Sequence, residues 1–386
     1  MGSTPRTRRK TPAPNAPASN TGSNTGSNNT KAIKVKQEEE EEEEGKRTKT
    51  SPVAALDAGY ESDAPIVIDS DTSLELQREK ESYPGASTWA EDEEHLFEIL
   101  FQRGERPILP GHWDVDFRGI PVVDTVFQTD NDGLPPVVYA RSGKDFQATT
   151  ALLRLIDLTS SVRTTVQSGL RDKAPLVIKR SLDRYLAWAA EDGGFSGLRI
   201  VPNIFTAVLD PQLSEQDITA AMQRRMRALA TMQREFLKVD RDETFWAVNH
   251  VALTRDNASA ALLDKYLLDM GADKDQQDQK PMMLDRQEEE AGPAADQDGP
   301  AYRRVPPVVY GLFVLRSSVF LLTVDSAKGD TAYVSFHVDV HFMDRHQSVW
   351  NALTVAIPVC LARDQLVERL DEFEEWPVEH EGESDG

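Results

Sequence analysis

Apolar positions along this chain fall into stretches of two periods, helical and alternating, separated by segments with no period at all. Trp89, Leu96, Ile99 and Leu100 recur at helical spacing, with Thr88 and Glu91 placed as a capping box before them. Gly104 and Pro107 end that helix, and residues 107–138 carry many Pro, Gly and Asp with short extended pieces such as 120–123. The spacing predicts a second helix over 144–166, with Leu152, Leu155, Ile156 and Val162 on one face. Pro175 opens a third that runs through Trp188 and stops at Gly193-Gly194. Residues 198–209 read as a strand. Ser214, with Asp217 three residues on, caps a long helix whose stripe is Ile218, Met222, Met226, Leu229, Met232 and Phe236. A less regular helical region follows over 245–270.

Past residue 302 the period changes. Residues 308–342 predict a three-stranded antiparallel meander, turning at Arg316-Ser317 and at 327–330. In its third strand Phe336, Val338, Val340 and Phe342 alternate, which assigns them one face. Residues 347–372 predict a last helix, with Pro358 inside it as a kink.

Three segments lack any pattern. Residues 1–86 are rich in Thr, Pro, Asn, Ser, Gly, Glu and Lys and cannot bury enough apolar surface to offset chain entropy, so a long disordered arm is expected. Residues 271–302 are polar and read as a flexible acidic linker or insertion, and 376–386 as an acidic tail. The division is therefore an arm (1–86), a mainly helical body (87–270), the linker, and a meander with terminal helix (303–375) packing on the body. The fold class is α+β.

Composition narrows the function. The 386 residues carry a formal net charge of −22, which opposes non-specific coating of nucleic acid. Locally the balance reverses: over 141–241 Lys and Arg outnumber Asp and Glu 16 to 11. Lys179, Arg180 and Arg184 crowd one helical stretch, and Arg224, Arg225 and Arg227 another, which offers a basic face to nucleic acid or to an acidic partner. A single cysteine, Cys360, precludes an intramolecular disulfide and fits a reducing compartment. No apolar run reaches the ~20 residues that cross a bilayer, so no membrane contact is expected.

The arm carries the most specific patterns. Val35-Lys36-Gln37-Glu38 places a lysine between a large aliphatic residue and an acid, and a run of seven Glu occupies 38–44. It resembles the SUMO acceptor consensus, which makes Lys36 the expected site of an isopeptide bond. The aliphatic residue would pack beside the conjugating enzyme's active site, and the acids would meet its basic surface. Pro65-Ile66-Val67-Ile68-Asp69-Ser70-Asp71 resembles a SUMO-interacting motif. Ile66, Val67 and Ile68 would add as a strand to a sheet edge, with Asp69 and Asp71 against basic residues. Phosphorylation of Ser70 or Thr72 would add charge at the same place. Basic clusters at residues 6–10 and 46–49 fit nuclear import. The expectation is a nuclear interaction or scaffold protein linked to chromatin or genome maintenance, with SUMO or sumoylated proteins as partners, no cofactor and no assigned catalytic residue.

Other patterns point elsewhere. Trp89 with Glu91, Asp92, Glu93, Glu94 and Leu96 resembles the opening of a SANT/Myb-type helix, without that module's later aromatic residues. His337, Asp339 and His341 alternate, which puts all three on one strand face. His337-Val338-Asp339 resembles the start of the His-x-Asp site of jelly-roll iron oxygenases, although the distal His and Arg are missing. Asp325 at a strand end before a further strand and helix invites comparison with the PD-(D/E)xK nuclease core, but no Glu-x-Lys pair follows it. An enzyme or degenerate enzyme with its site near His337, Asp339 and His341 is therefore the alternative, and DNA binding through 141–241 a third.

Overall fold

The computed structural model describes residues 70–130, 133–248, 253–254, 257–277 and 301–376, and these fall within one compact unit. In chain order the elements are α1 (Ser70–Ser82), α2 (Glu91–Gln102), α3 (Asp145–Gln167), α4 (Ala174–Asp192), β1 (Leu198–Arg199), β2 (Ile204–Val208), α5 (Glu215–Leu237), α6 (Ala258–Gln277), β3 (Val308–Leu315), β4 (Ser318–Asp325), β5 (Val334–His341), α7 (Ser348–Val367) and β6 (Glu374–Glu375). Helix and sheet are mixed, as α+β requires.

Local chemistry accounts for several boundaries. Ser214 Oγ accepts the Asp217 N–H at 3.2 Å and starts α5. Pro175 sits in the first turn of α4, where its missing N–H has no partner to lose. Gly194, at φ 75°, turns the chain out of α4 in the left-handed region. At α2 the expected capping box gives way to another. Thr88 lies in a 3-10 turn (Ala86–Thr88), Ala90 is the N-cap, and Glu93 takes the Ala90 N–H at 3.1 Å. In 107–138 the extended pieces are short, as expected, with Val123 and Phe127 extended and an isolated bridge between Leu109 and Phe127, and 3-10 turns lie at Gly111–Val115 and Asp124–Val126.

The main sheet has the order β2-β3-β4-β5. The strands β3, β4 and β5 are antiparallel neighbours, and β2 adds to β3 in parallel. The stretch expected as one strand is split. Leu198–Arg199 pairs with β6 in a second, two-stranded sheet, while Ile204–Val208 joins the first. In the region expected to be helical from 245, helix α6 is described from Ala258, and it continues to Gln277, seven residues into the expected linker.

Helices cover both faces of the main sheet. On one face α2, α3, α4 and α7 enclose a core that takes Tyr310, Leu312, Leu321 and Val340 from the strands. On the other, α5 backed by α6 packs its Met222, Met226, Leu229 and Phe236 against Phe205, Val309, Phe313 and Leu322. Gly311 faces α5, where a Cβ would run into Met226 and the Phe313 ring. Helix α7 is apolar nearly all round and correspondingly buried on nearly every side.

In β5 the predicted alternation fails. Leu321 pairs with Val338 but Leu322 pairs with Phe336, so His337 is an extra residue, a β-bulge. The bulge reverses which side chains face which layer. Phe336 is exposed beside Phe320 on the α5 side, whereas Val340 and Phe342 join the opposite core.

Candidate functional site

The arm residues Lys36, Ile66, Val67, Ile68 and Asp69 lie outside the described residues. The chain is described from Ser70, where α1 begins, so Ser70, Asp71 and Thr72 occupy the first turn of a helix rather than an extended strand. The helix is tied to the body at its far end. Lys80 Nζ meets Glu94 Oε1 at 2.6 Å, and Leu76 and Tyr83 pack on Trp89 and Phe97.

Beside that anchor lies a buried polar array. Thr323 Oγ1 on β4 donates to Glu93 Oε1 of α2 at 2.5 Å and stands 2.8 Å from His337 Nε2. With the hydroxyl hydrogen committed to the carboxylate, His337 donates through Nε2–H, which leaves its Nδ1 as the unprotonated nitrogen. That Nδ1 is buried without a partner. Trp89 covers the ring at 5.2 Å between centroids and donates from Nε1 to Ser335 Oγ at 2.8 Å. Burial lowers the His337 pKa to about 4, so the imidazole is neutral at ordinary pH. Burial likewise raises Glu93 and Asp92, with the nearby Asp325 adding to both. Asp325 accepts the Ala327 N–H at 2.9 Å and pairs with Lys328 at 3.2 Å, and Lys328 reaches the Thr88 carbonyl. The array can hold and pass a proton between Glu93, Thr323 and His337. The array lies buried beneath Trp89.

The same register bears on the nuclease comparison. Thr323 and Val324, just before Asp325, pair with Ser335 and Val334. Val334 and Ser335 therefore stand nearest Asp325 across the ladder, and neither is a Glu or a Lys. Asp339 and His341 pair with Phe320 and Ser318 toward the other end of β4.

His337, Asp339 and His341 do not share a face, which corrects the reading from simple alternation. The bulge leaves His337 buried under Trp89, while His341 is exposed on the other side, 2.9 Å from Asp339 and 2.7 Å from Ser318 Oγ. Among the described residues no group of three or more His, Cys, Asp or Glu could hold a metal ion. Cys360 is fully buried 3.9 Å from the Tyr185 hydroxyl, and burial pushes its thiol up to about 11. The thiolate that a nucleophile needs is correspondingly scarce.

The six basic residues divide between two layers. Lys179, Arg180 and Arg184 are on α4, and Arg224, Arg225 and Arg227 on α5, which pack against opposite faces of the sheet. Lys179 is also engaged, by Asp183 at 2.6 Å and Thr206 at 3.1 Å. They do not build a single basic face.

Two features lay beyond sequence reasoning. Arg363 of α7 and Asp192 of α4 form an enclosed ion pair at 2.7 Å, although 171 residues separate them. Asp192 also gathers the Arg141 and Ser142 N–H groups and the Ser142 hydroxyl, while Arg363 bonds the Tyr139 carbonyl and stacks over its ring. A surface cavity of about 810 Å3 opens between the start of α4, the end of β2 and the β3–β4 turn, lined by Leu176, Val208, Met343, Arg171 and Arg316. The exposure of Leu176 and Met343 was the one sequence-level trace of it, as apolar residues off the helical and strand stripes.

This is the class of protein the fold defines: an α+β body with helices on both faces of a four-stranded sheet. No family model matches the chain, and neither does any curated protein or solved structure. Among the described residues no helix is long and apolar enough to cross a membrane.

Proposed function

We propose that this is a nuclear interaction protein that both accepts SUMO, on Lys36, and reads it, through Ile66, Val67, Ile68 and Asp69, while the α+β body serves as a binding module linked to chromatin or genome maintenance. The supporting observation is the placement of α1. Described from Ser70, it is fastened to the body through Lys80 and Leu76, with Tyr83 packing just past its end. A motif tethered close to a second binding surface gains effective concentration for any partner that offers both contacts. In this reading Ile66, Val67, Ile68 and Asp69 would add as a strand to a SUMO sheet edge, and Asp71 with phosphorylated Ser70 or Thr72 would supply negative charge beside it.

The test is a ¹⁵N titration of the full chain with SUMO. Shifts should centre on 64–73 and vanish when Ile66, Val67 and Ile68 become Ala. Acidic replacements at Ser70 and Thr72 should tighten binding about 3- to 10-fold, on the scale of one or two added charge contacts. A titration that leaves 64–73 unmoved, with and without those acidic replacements, would sink the SUMO-reading half of the proposal.

A further inference from the structure

Where the chain leaves α7 it crosses a nest of arginines and aromatic rings. Arg199 of β1 lies with its guanidinium 4.4 Å from the Trp246 ring and 5.8 Å from Trp376. Arg241 stands 5.0 Å from the Phe236 ring and 5.9 Å from Phe245. Into this nest runs Glu374-Glu375-Trp376. Glu374 pairs with Arg199 and Glu375 with Leu198 as a two-residue antiparallel ladder. The Glu374 carboxylate meets Arg241 at 2.6 Å but reaches Arg199 only at 4.0 Å.

That segment fits the nest incompletely. Arg199 Nε, Arg241 Nη1, Trp246 Nε1 and Trp376 Nε1 are all buried donors without an acceptor. Trp246 itself is only 9 % exposed. Buried donors are ordinarily satisfied, so four in one place describe a site with unused capacity for carboxylate or other acceptor oxygens. The ladder is only two residues long and its acids are exposed, so main-chain pairing holds the strand over a short stretch, with Phe373 stacked on Phe236 and Glu374 paired with Arg241 as its side-chain anchors. The nest combines guanidinium groups for acids, indole and phenyl faces for an aromatic side chain, and a strand edge for main-chain bonds.

We infer that this groove is a docking site for an acidic, tryptophan-bearing peptide strand of a partner protein, and that the chain's own Glu374-Glu375-Trp376 occupies it as a displaceable stand-in. The inference concerns the body alone and does not depend on the arm's reading of SUMO. A partner strand longer than two residues would extend the ladder along β1 and bring acids to the unmet Arg and Trp donors. Binding and release of the resident segment are then one equilibrium, and weakening the resident strengthens the partner.

The probe is a fluorescent peptide of the resident sequence, Phe-Glu-Glu-Trp-Pro-Val, titrated by anisotropy against the full chain and against the full chain carrying Glu374→Gln and Trp376→Ala. The opened chain should bind at least 10-fold more tightly than the unaltered one. Adding Arg199→Ala and Arg241→Ala should remove that gain, and an all-Glu heptapeptide should bind at least 10-fold more weakly. A second measurement uses only the unaltered protein: saturating peptide should speed hydrogen exchange at Glu374 and Glu375. Equal affinities for closed and opened chains, indifference to Arg199 and Arg241, equal binding of the all-Glu peptide, or unchanged exchange would each overturn the inference.

Discussion

Where α4 meets α7 the core encloses two full charges; where α2 crosses β4 and β5 it encloses two ionisable groups that burial keeps neutral or drives toward neutrality. In the first, Arg363 and Asp192 are 0 % and 2 % exposed at the side chain, and each is held by further bonds, to the Tyr139 carbonyl, to Asp364 and to the Arg141–Ser142 turn. In the second, burial drives Glu93 up and His337 down, and one threonine hydroxyl joins them. Burying a charge is tolerable when an opposite charge and hydrogen bonds replace water; otherwise the group gives up its charge instead. The two centres therefore differ in what disturbs them. A mutation that removes one partner threatens the first, and a change of pH threatens the second.

The largest expected effect follows from breaking the charged centre. Asp192→Ala would leave Arg363 unpaired in the core and strip the Arg141 and Ser142 donors of their acceptor. A loss of about 3–5 kcal/mol in urea unfolding is expected, the usual scale for an orphaned buried charge. Asp192→Leu combined with Arg363→Met should recover a large part of it, since an apolar pair leaves no charge behind. If the double variant were as unstable as Asp192→Ala, lost bonds around the turn, and not the stranded charge, would be what matters.

The neutral centre should show itself through pH. The folded-state pKa of His337, about 4, lies below the ordinary 6.5. A group with a depressed folded pKa contributes its full stability above the unfolded value and loses it as pH falls, here through the window from 6.5 to about 4. The amount is on the order of 3 kcal/mol. Glu93, raised by burial, runs the other way: its protonated form suits the fold, so its cost appears as pH rises through its folded pKa. Asp325 is the neighbouring carboxylate that pushes on Glu93, and Tyr83 approaches the His337 carbonyl at 3.5 Å. Unfolding curves of the chain and of His337→Gln, taken across pH 7 to 4, separate these contributions. The variant should lose the downward slope below 6.5, and an unchanged slope would place the titrating group elsewhere.

How much of this was legible in the sequence depended on how far apart the cooperating residues lie. Helix α5 could be read because its cap, Ser214, and its stripe from Met222 to Phe236 are all local, and the same holds for α3 and for Pro175 at the head of α4. The bulge at His337 could not be read, because an extra residue in one strand is defined only by its partner, here Leu321 and Leu322. That single residue decides whether His337 joins Asp339 and His341 or is sealed under Trp89. The parallel addition of β2 to β3, the division of six basic residues between opposite layers, and the Asp192–Arg363 pair all depend on long-range packing in the same way. At the edge of the arm, local pattern could not tell an extended segment from the helix that Ser70, Asp71 and Thr72 join.

The smallest expected effect comes from an ion pair outside both centres, and it sets their scale. Glu374 is 43 % exposed and meets Arg241 at 2.6 Å, a shorter approach than the 2.7 Å of Arg363 and Asp192. Distance alone would rank the exposed pair as the stronger. Solvent screening and side-chain entropy say the reverse, so Glu374→Ala should cost about 0–1 kcal/mol in the same urea experiment, against several for Asp192→Ala. Raising the salt from about 0.1 to 1 M should shrink even that difference, because the Debye length falls to roughly 3 Å, while the Asp192 effect persists with its charges out of reach of ions. A cost for Glu374→Ala matching that of Asp192→Ala would mean that the terminal strand is part of the core's stability. In that case the segment at β1 would be a structural clasp too firmly held for a partner strand to displace.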